Sequence, residues 1–538
     1  MNRENIKKSV LILQETGLIL LALSLPLANL FMSISTFWLI GVWMLWMAFD
    51  GSIKKRLTAF LHQPAAWSMM GIFFLFAFSL LWTANQKEGI KEVLLKLPLL
   101  VIPLAISGFE AISKKQLYRI LRFYLVGLLI ASGICLSVYF GWYNSFATPL
   151  GFKARNPIDV REISILISHI RFSLMLVFGI GVVWYLIAKK ELHLLVGTLM
   201  VAVFLYFMWV VESMTGFALI FFLVLFFLLR RALSTRRKWL KWTTAIALII
   251  VPMVCFMTVR RWYSEYFTVE NVDFNQLDAV SPSGNIYYHI RENREIENGH
   301  YTWIYIVDSE LKEEWEKRSH LPFDSSEKAV RPVLIRYLTS KGLRKDAEGV
   351  KSLSAQDIQN IEKGIPNITW TTRSGLRLRM DRIFYEWNTY RQGGNPNGHS
   401  VRQRMLFWEV AFRITERRLW TGVGIGDVRD AFACMYDEMK SPLDQKHRLG
   451  AHNQYLTACI TFGVGGLMVF LVLLYMPFFQ AANRKNWLLT CAWLIVMISF
   501  ITEDTLESQS GVTFYAYTIS LLAVLRLNSS DTARSIRD

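Results

Sequence analysis

The sequence predicts an all-α polytopic membrane protein of about twelve transmembrane helices, with a large extracytoplasmic α+β insertion before the tenth span. Three observations carry this expectation. The 538 residues are 53% hydrophobic and 14% aromatic, with a mean hydropathy of +0.30, which is too apolar for soluble domains of this length. Windows of about 20 mostly apolar residues, long enough to cross a bilayer as a helix, recur through the first half and again at the end. Between 258 and 451 no such window exists.

The windows fall near 9–27, 32–49, 66–83, 93–109, 118–140, 169–188, 192–211, 215–231, 242–258, 452–479, 487–503 and 511–526. The first follows Arg3, Lys7 and Lys8 like the start of a signal peptide, yet no small-residue cleavage site comes after it, so it reads as a retained span. Residues 1–258 then hold the first nine spans, 259–450 an extracytoplasmic domain, and 451–538 the last three spans with a cytoplasmic tail.

Charge sets the orientation. The net charge is +17, but residues 259–450 contain 29 Lys/Arg against 27 Asp/Glu, so the excess belongs to the membrane part and does not indicate nucleic acid. Lys54-Lys55-Arg56, Lys114-Lys115, Lys189-Lys190, the basic run from Arg230 to Lys238, and Arg484-Lys485 occupy alternate connections, as the positive-inside bias requires. Both termini are expected in the cytoplasm and 259–450 outside. Lys96, in the fourth window, is expected to snorkel. The five cysteines are scattered, without a CxxC pair or a His-rich cluster, so neither a disulfide framework nor a zinc site is indicated.

Within the outer segment, 262–390 reads as a variable insert. Aromatic and polar residues alternate through Tyr301-Thr302-Trp303-Ile304-Tyr305, which suggests strand, and 354–390 is largely helical. RQGGNPNGHS at 391–400 is a turn that closes the insert. From 400 to 450 the expectation is an amphipathic helix, with Met405, Trp408 and Phe412 at helical spacing and Arg413, Arg417 and Arg418 as a lipid-headgroup stripe. The Gly-rich turn TGVGIGD at 421–427 follows; it comes after a helix rather than a strand and has no P-loop lysine, so it is read as a turn that lets substrate approach. A second helix containing Tyr436 leads to His452.

His452-Asn453, nine further residues and then Gly463-Val464-Gly465-Gly466 put a titratable imidazole at the edge of a long apolar run. Together with Arg404 and Trp408 on one helix, TGVGIGD, and TEDTLESQSGVTF at 502–514, this pattern resembles the O-antigen ligase/polymerase family of bacterial envelope glycosyltransferases. The specific part of the resemblance spans about 400–479, and the layout of spans with a late, large loop agrees over the whole chain.

The resemblance implies a GT-C-like fold in the bacterial cytoplasmic (inner) membrane, with a periplasmic active site. The implied activity is transfer of a glycan from an undecaprenyl-diphosphate carrier to a lipid A-core acceptor, among membrane lipids and without a metal or cofactor. Such chemistry needs a base for the acceptor hydroxyl and cations for the leaving diphosphate. His452 fits the first; Arg171, at the outer end of the sixth window, and Arg404 fit the second, because guanidinium forks bind phosphate oxygens bidentately. Arg402, Asn453 and Glu212 are candidate substrate contacts. Glu212-Ser213-Met214-Thr215-Gly216 stands where many family members carry a Ser-Arg-Gly-like sequence, so the missing arginine shifts weight to Arg171 and Arg404. Gly463 and Gly466 read as packing residues. Glu503, Asp504 and Glu507 read first as solvated interfacial acids, with acceptor contact or pairing to arginines as alternatives. An O-antigen polymerase or a protein O-oligosaccharyltransferase would share the donor chemistry; a lipid or glycan transporter would instead need paired ionisable groups at mid-bilayer.

Overall fold

A computed structural model describes residues 3–50, 58, 60, 62–150, 153–155, 157, 160–324, 330–394, 396–480, 483 and 485–527. Lys54-Lys55-Arg56, Arg484, the side chains of Arg3 and Lys7, and the tail beyond 527 lie outside the described residues. The chain divides into two compact units, Met1–Val224 with Arg404–Asp538, and Leu225–Gln403.

The first unit is a helical bundle. Each of its apolar windows holds helix: Arg3–Ser24, Asn29–Asp50, Pro64–Phe78, Pro98–Ser107, Lys114–Tyr139, His169–Ala188, Leu194–Val210, the start of Met214–Ser234, Gln454–Tyr475, Trp487–Thr502 and Gln509–Ile519. Their starts follow local rules. Pro64 and Pro98 stand at first helical positions, where a missing N–H costs nothing. Ser113 and Gln116 form a reciprocal capping box.

Pro64–Phe78 packs on Gln454–Tyr475 and Pro98–Ser107, and His169–Ala188 packs on Lys114–Tyr139 and Trp487–Thr502. Buried Leu, Ile, Phe and Ala fill the seams, while Phe37, Trp184 and Leu199 face outward. Apolar side chains on the outer surface of apolar helices are what lipid solvates.

Among the described residues seven helices in the whole chain are long and apolar enough to cross a membrane, and Leu194–Val210 and Trp487–Thr502 are shorter apolar helices. The fourth window is broken. Gln86–Leu95 ends at Lys96, and Pro98 starts a separate ten-residue helix. Lys96 is fully buried and does not snorkel: its ammonium lies 3.0 Å from Glu92 and is also paired with Glu507.

The second unit is mainly helical. The expected strand shrinks to Ile296–Glu297 and His300–Tyr301, an antiparallel pair joined by Asn298-Gly299. Both turn residues have positive φ, 49° and 87°, as a tight hairpin requires. Beyond Tyr301 the alternation finds only isolated bridges, Ile306 with Tyr288 and Lys345, so no continuous sheet forms. Trp315, Leu334, Tyr337, Leu338 and Ile358 make its core. The Lys238–Phe267 helix of this unit is only 6% buried over its most apolar window, where mean hydropathy is 2.1. Residues from 404 onward belong with the first unit, because Phe407, Val410, Ala411 and Ile414 share a core with Phe432, Tyr436 and Ile460.

Candidate active site

The site is built where three helix ends meet. Asn453 caps the Gln454–Tyr475 helix, its Oδ1 accepting from the N–H groups of Tyr455 at 3.0 Å and Leu456 at 3.1 Å. Its Nδ2 donates to the Ile501 carbonyl at 3.0 Å, tying the cap to the end of Trp487–Thr502. His452, one residue earlier, must turn sharply and takes φ +46°, a left-handed conformation that costs of order 1 kcal/mol for a non-glycine residue and is found at functional sites. Its ring lies 5.7 Å from that of Phe407, and its Nδ1 is 4.0 Å from Glu503 Oε2. Among the described residues Nδ1 is buried without a hydrogen-bond partner. Burial holds the His452 pKa below the ordinary histidine value; Glu503 pulls it up, and Arg404 and Arg171 push it down.

Glu503 organises the arginines. It stands at the C-cap of Trp487–Thr502, 1% exposed. Arg404 Nη2 donates to its Oε1 at 2.6 Å, and Arg171 Nη1 lies 3.5 Å from its Oε2. Arg171 sits in the first turn of His169–Ala188, donates from Nη2 to the Asp504 carbonyl at 3.2 Å, and keeps a buried Nε without a partner among the described residues. Two guanidinium groups thus share one carboxylate, and the cluster carries an excess of positive charge.

Asp504 accepts from Thr457 Oγ1 at 2.7 Å. Its pKa is pushed up to about 6, first by burial and then by the charge of Glu507, with the Thr457 and His452 hydrogen bonds opposing. Gln454 links this layer to the next, donating to Glu507 Oε1 at 3.1 Å and accepting from the Leu506 N–H at 2.7 Å.

The three residues expected to be catalytic, His452, Arg171 and Arg404, therefore surround one carboxylate. Asn453 is a cap whose amide oxygen and nitrogen are both hydrogen-bonded. Glu212 is buried at φ +52° in the turn after Leu194–Val210; its neighbour Ser213 donates to Ser173 at 2.7 Å, two residues beyond Arg171 on the same helix. Arg402 lies in the second unit, donating to the Gly394 carbonyl with its guanidinium 4.5 Å from the Tyr390 ring centre.

Two expectations change. TGVGIGD is not a free-standing turn: it is knitted to the chain before and after Gly463. Val423 N–H donates to Ile460 O at 2.8 Å, Gly424 N–H to Thr461 O at 3.0 Å, and Val464 N–H to Leu419 O at 2.8 Å. Asp427 then anchors the turn through the N–H groups of Ala84 and Asn85, each at 2.7 Å. On the amphipathic helix the buried face is Phe407, Val410, Ala411 and Ile414, while Met405 and Phe412 are exposed and Trp408 donates to Ala451 O at 3.0 Å. Arg413 and Arg417 are engaged with Glu409 and Glu438.

Glu503 is the residue whose importance the sequence understated. The available signal was an acidic run placed directly between two apolar windows, since a carboxylate buried there needs cationic partners.

Residues 359–471 match the family model described as O-Antigen ligase. No curated protein matches the chain. The matched segment contains Arg404, TGVGIGD and the His452 cap, and over these residues the chain is similar to the O-antigen ligase family.

Proposed function

We propose that the protein is an O-antigen ligase, transferring a glycan from undecaprenyl diphosphate to lipid A-core at the periplasmic face of the inner membrane. The observation that carries the reading is the convergence of Arg171, Arg404 and His452 on Glu503. The long apolar helices then cross the bilayer, both termini are cytoplasmic, and residues 259–450 lie outside.

The donor diphosphate binds Arg171 and Arg404, taking up donor capacity that Glu503 leaves unused, including Arg171 Nε. His452, neutral near pH 7 because burial disfavours the imidazolium, removes the proton of the acceptor hydroxyl. The hydroxyl oxygen bonds to the anomeric carbon as the bond from that carbon to the phosphate oxygen breaks. The proton stays on His452, and the lipid diphosphate leaves with its new charge held by the arginines. Glu212 and Asn453 serve the substrate indirectly, by holding the turns beside Arg171 and His452.

An O-antigen polymerase or a protein O-oligosaccharyltransferase would use the same donor side. A transporter would use buried ion pairs within spans, and the Lys96, Glu92 and Glu507 cluster sits instead at helix ends. The deciding experiment gives the reconstituted protein one lipid-linked donor with lipid A-core, a protein acceptor and unextended donor glycan side by side. The ligase reading expects product on lipid A-core. Product only on protein, or only elongated donor, replaces it with one of the alternatives, and no product on any acceptor removes the transferase reading.

A further inference from the structure

The loop that carries His452 borders a second surface, opposite in charge to the arginine cluster. A cavity of about 180 Å³ is lined by Glu88, Glu92, Asp504 and Glu507, with Arg429 as the cation among its lining residues, and Gly450 and Ala451 of the loop form part of its wall. A larger cavity of about 600 Å³ adjoins it, sharing Val428, Arg429 and Gly450 and extending to Asp437, Gln445 and Arg448. The cations here are already engaged. Arg429 pairs with Glu88 at 2.9 Å and Glu92 at 3.1 Å, and Lys96, buried behind the wall, pairs with Glu92 and Glu507. Arg448 is paired with Asp437 and donates to the Leu443 carbonyl at 3.1 Å.

We propose that these joined cavities bind the terminal sugars of the glycosyl acceptor, and that the sugar placed against Asp504 carries hydroxyl or amino groups and no phosphate. The proposal rests on the transferase reading above and adds the location and the chemical class of its second substrate.

Charge decides the class. A phosphorylated sugar would meet four carboxylates and would have to displace them from Arg429 or Lys96, whereas hydroxyls and ammonium groups donate to carboxylate oxygens directly. Phe76 and Ile425 supply apolar wall of the kind that covers the C–H face of a sugar ring. The arginine cluster has the reverse balance, with Arg171 and Arg404 sharing Glu503. An anionic donor and an uncharged or amino-bearing acceptor are thus sorted to different surfaces that meet at one loop. Asp504 belongs to both: its carbonyl accepts from Arg171 and its carboxylate lines the cavity.

The test measures binding separately from turnover on the purified full-length chain. One probe is a delipidated core oligosaccharide before and after phosphatase treatment; the other is undecaprenyl diphosphate. The proposal expects Glu88→Gln and Arg429→Gln to weaken binding of the dephosphorylated oligosaccharide about tenfold while undecaprenyl diphosphate binding, which also reports folding, stays within about twofold. Arg171→Lys should do the opposite. Oligosaccharide binding that is absent in the wild type, indifferent to Glu88 and Arg429, or stronger with phosphate retained overturns it. Wild-type protein that binds both probes and transfers no glycan removes the transferase reading and leaves the binding assignment standing.

Discussion

At the scale of single residues, the site depends on one carboxylate holding two guanidinium groups beside an imidazole. Removing one member of a fully buried ion pair costs about 3–5 kcal/mol, and the partial exposure of Arg404 makes the cost here smaller. Glu503→Gln should therefore lower the thermal midpoint of the empty protein. Saturating undecaprenyl diphosphate should recover most of the loss, because phosphate supplies the missing negative charge; a thermal shift assay that finds no such recovery argues against a phosphate site. The pH dependence follows from His452. As a base it must be neutral, and burial moves its titration below the ordinary value of 6.5, so the acid limb of the rate profile should fall below that pH. A limb above it would require a stabilised imidazolium instead. The arginines and the histidine were picked out in the sequence by their resemblance to the family pattern. Glu503 was not, because an acid at a span end is usually solvated, and only the fold shows both arginines turned onto it.

Among the elements, the break in the Gln454–Tyr475 helix explains why the glycines follow the His-Asn pair. Gly463 has φ +73° and ψ −178°, and a Cβ there would lie 2.3 Å from the backbone carbonyl of Trp420. That close approach lets the chain around TGVGIGD dock backbone to backbone and sets the floor beneath the His452 loop. Gly463→Ala should lower both stability and transfer, whereas Gly465→Ala, where a Cβ meets nothing within 4 Å, should change neither. Comparable melting curves for the two variants would show that the kink is dispensable. From the sequence these glycines read as packing residues between spans, and TGVGIGD read as an open turn. Periodicity locates a helix but says nothing about which backbone it touches. The same limit applies to the amphipathic helix: with apolar residues on both faces, spacing alone could not choose between the Met405 and Phe407 faces.

For the whole molecule, composition was a reliable guide to class, since long apolar runs admit few solutions other than lipid-embedded helices. Each apolar window holds helix, and seven helices meet the length and hydropathy needed to cross a membrane. The fourth window breaks at Lys96, which turns inward to the neighbouring Glu92 and to Glu507, a partner far away in sequence. Residues 404–450 join the bundle, because their apolar face shares a core with the helix behind His452, and the second unit ends at Gln403. In the proposed reaction His452 takes the acceptor proton beside a diphosphate held by arginines. The most direct test is single-turnover transfer from an undecaprenyl-diphosphate-linked glycan to lipid A-core by wild type and His452→Ala in the same membranes. His452→Ala should bind donor within about twofold of wild type and lose transfer by at least about a hundredfold, the lower end of what a positioned base contributes. Transfer by His452→Ala at the wild-type rate would contradict the proposed reaction.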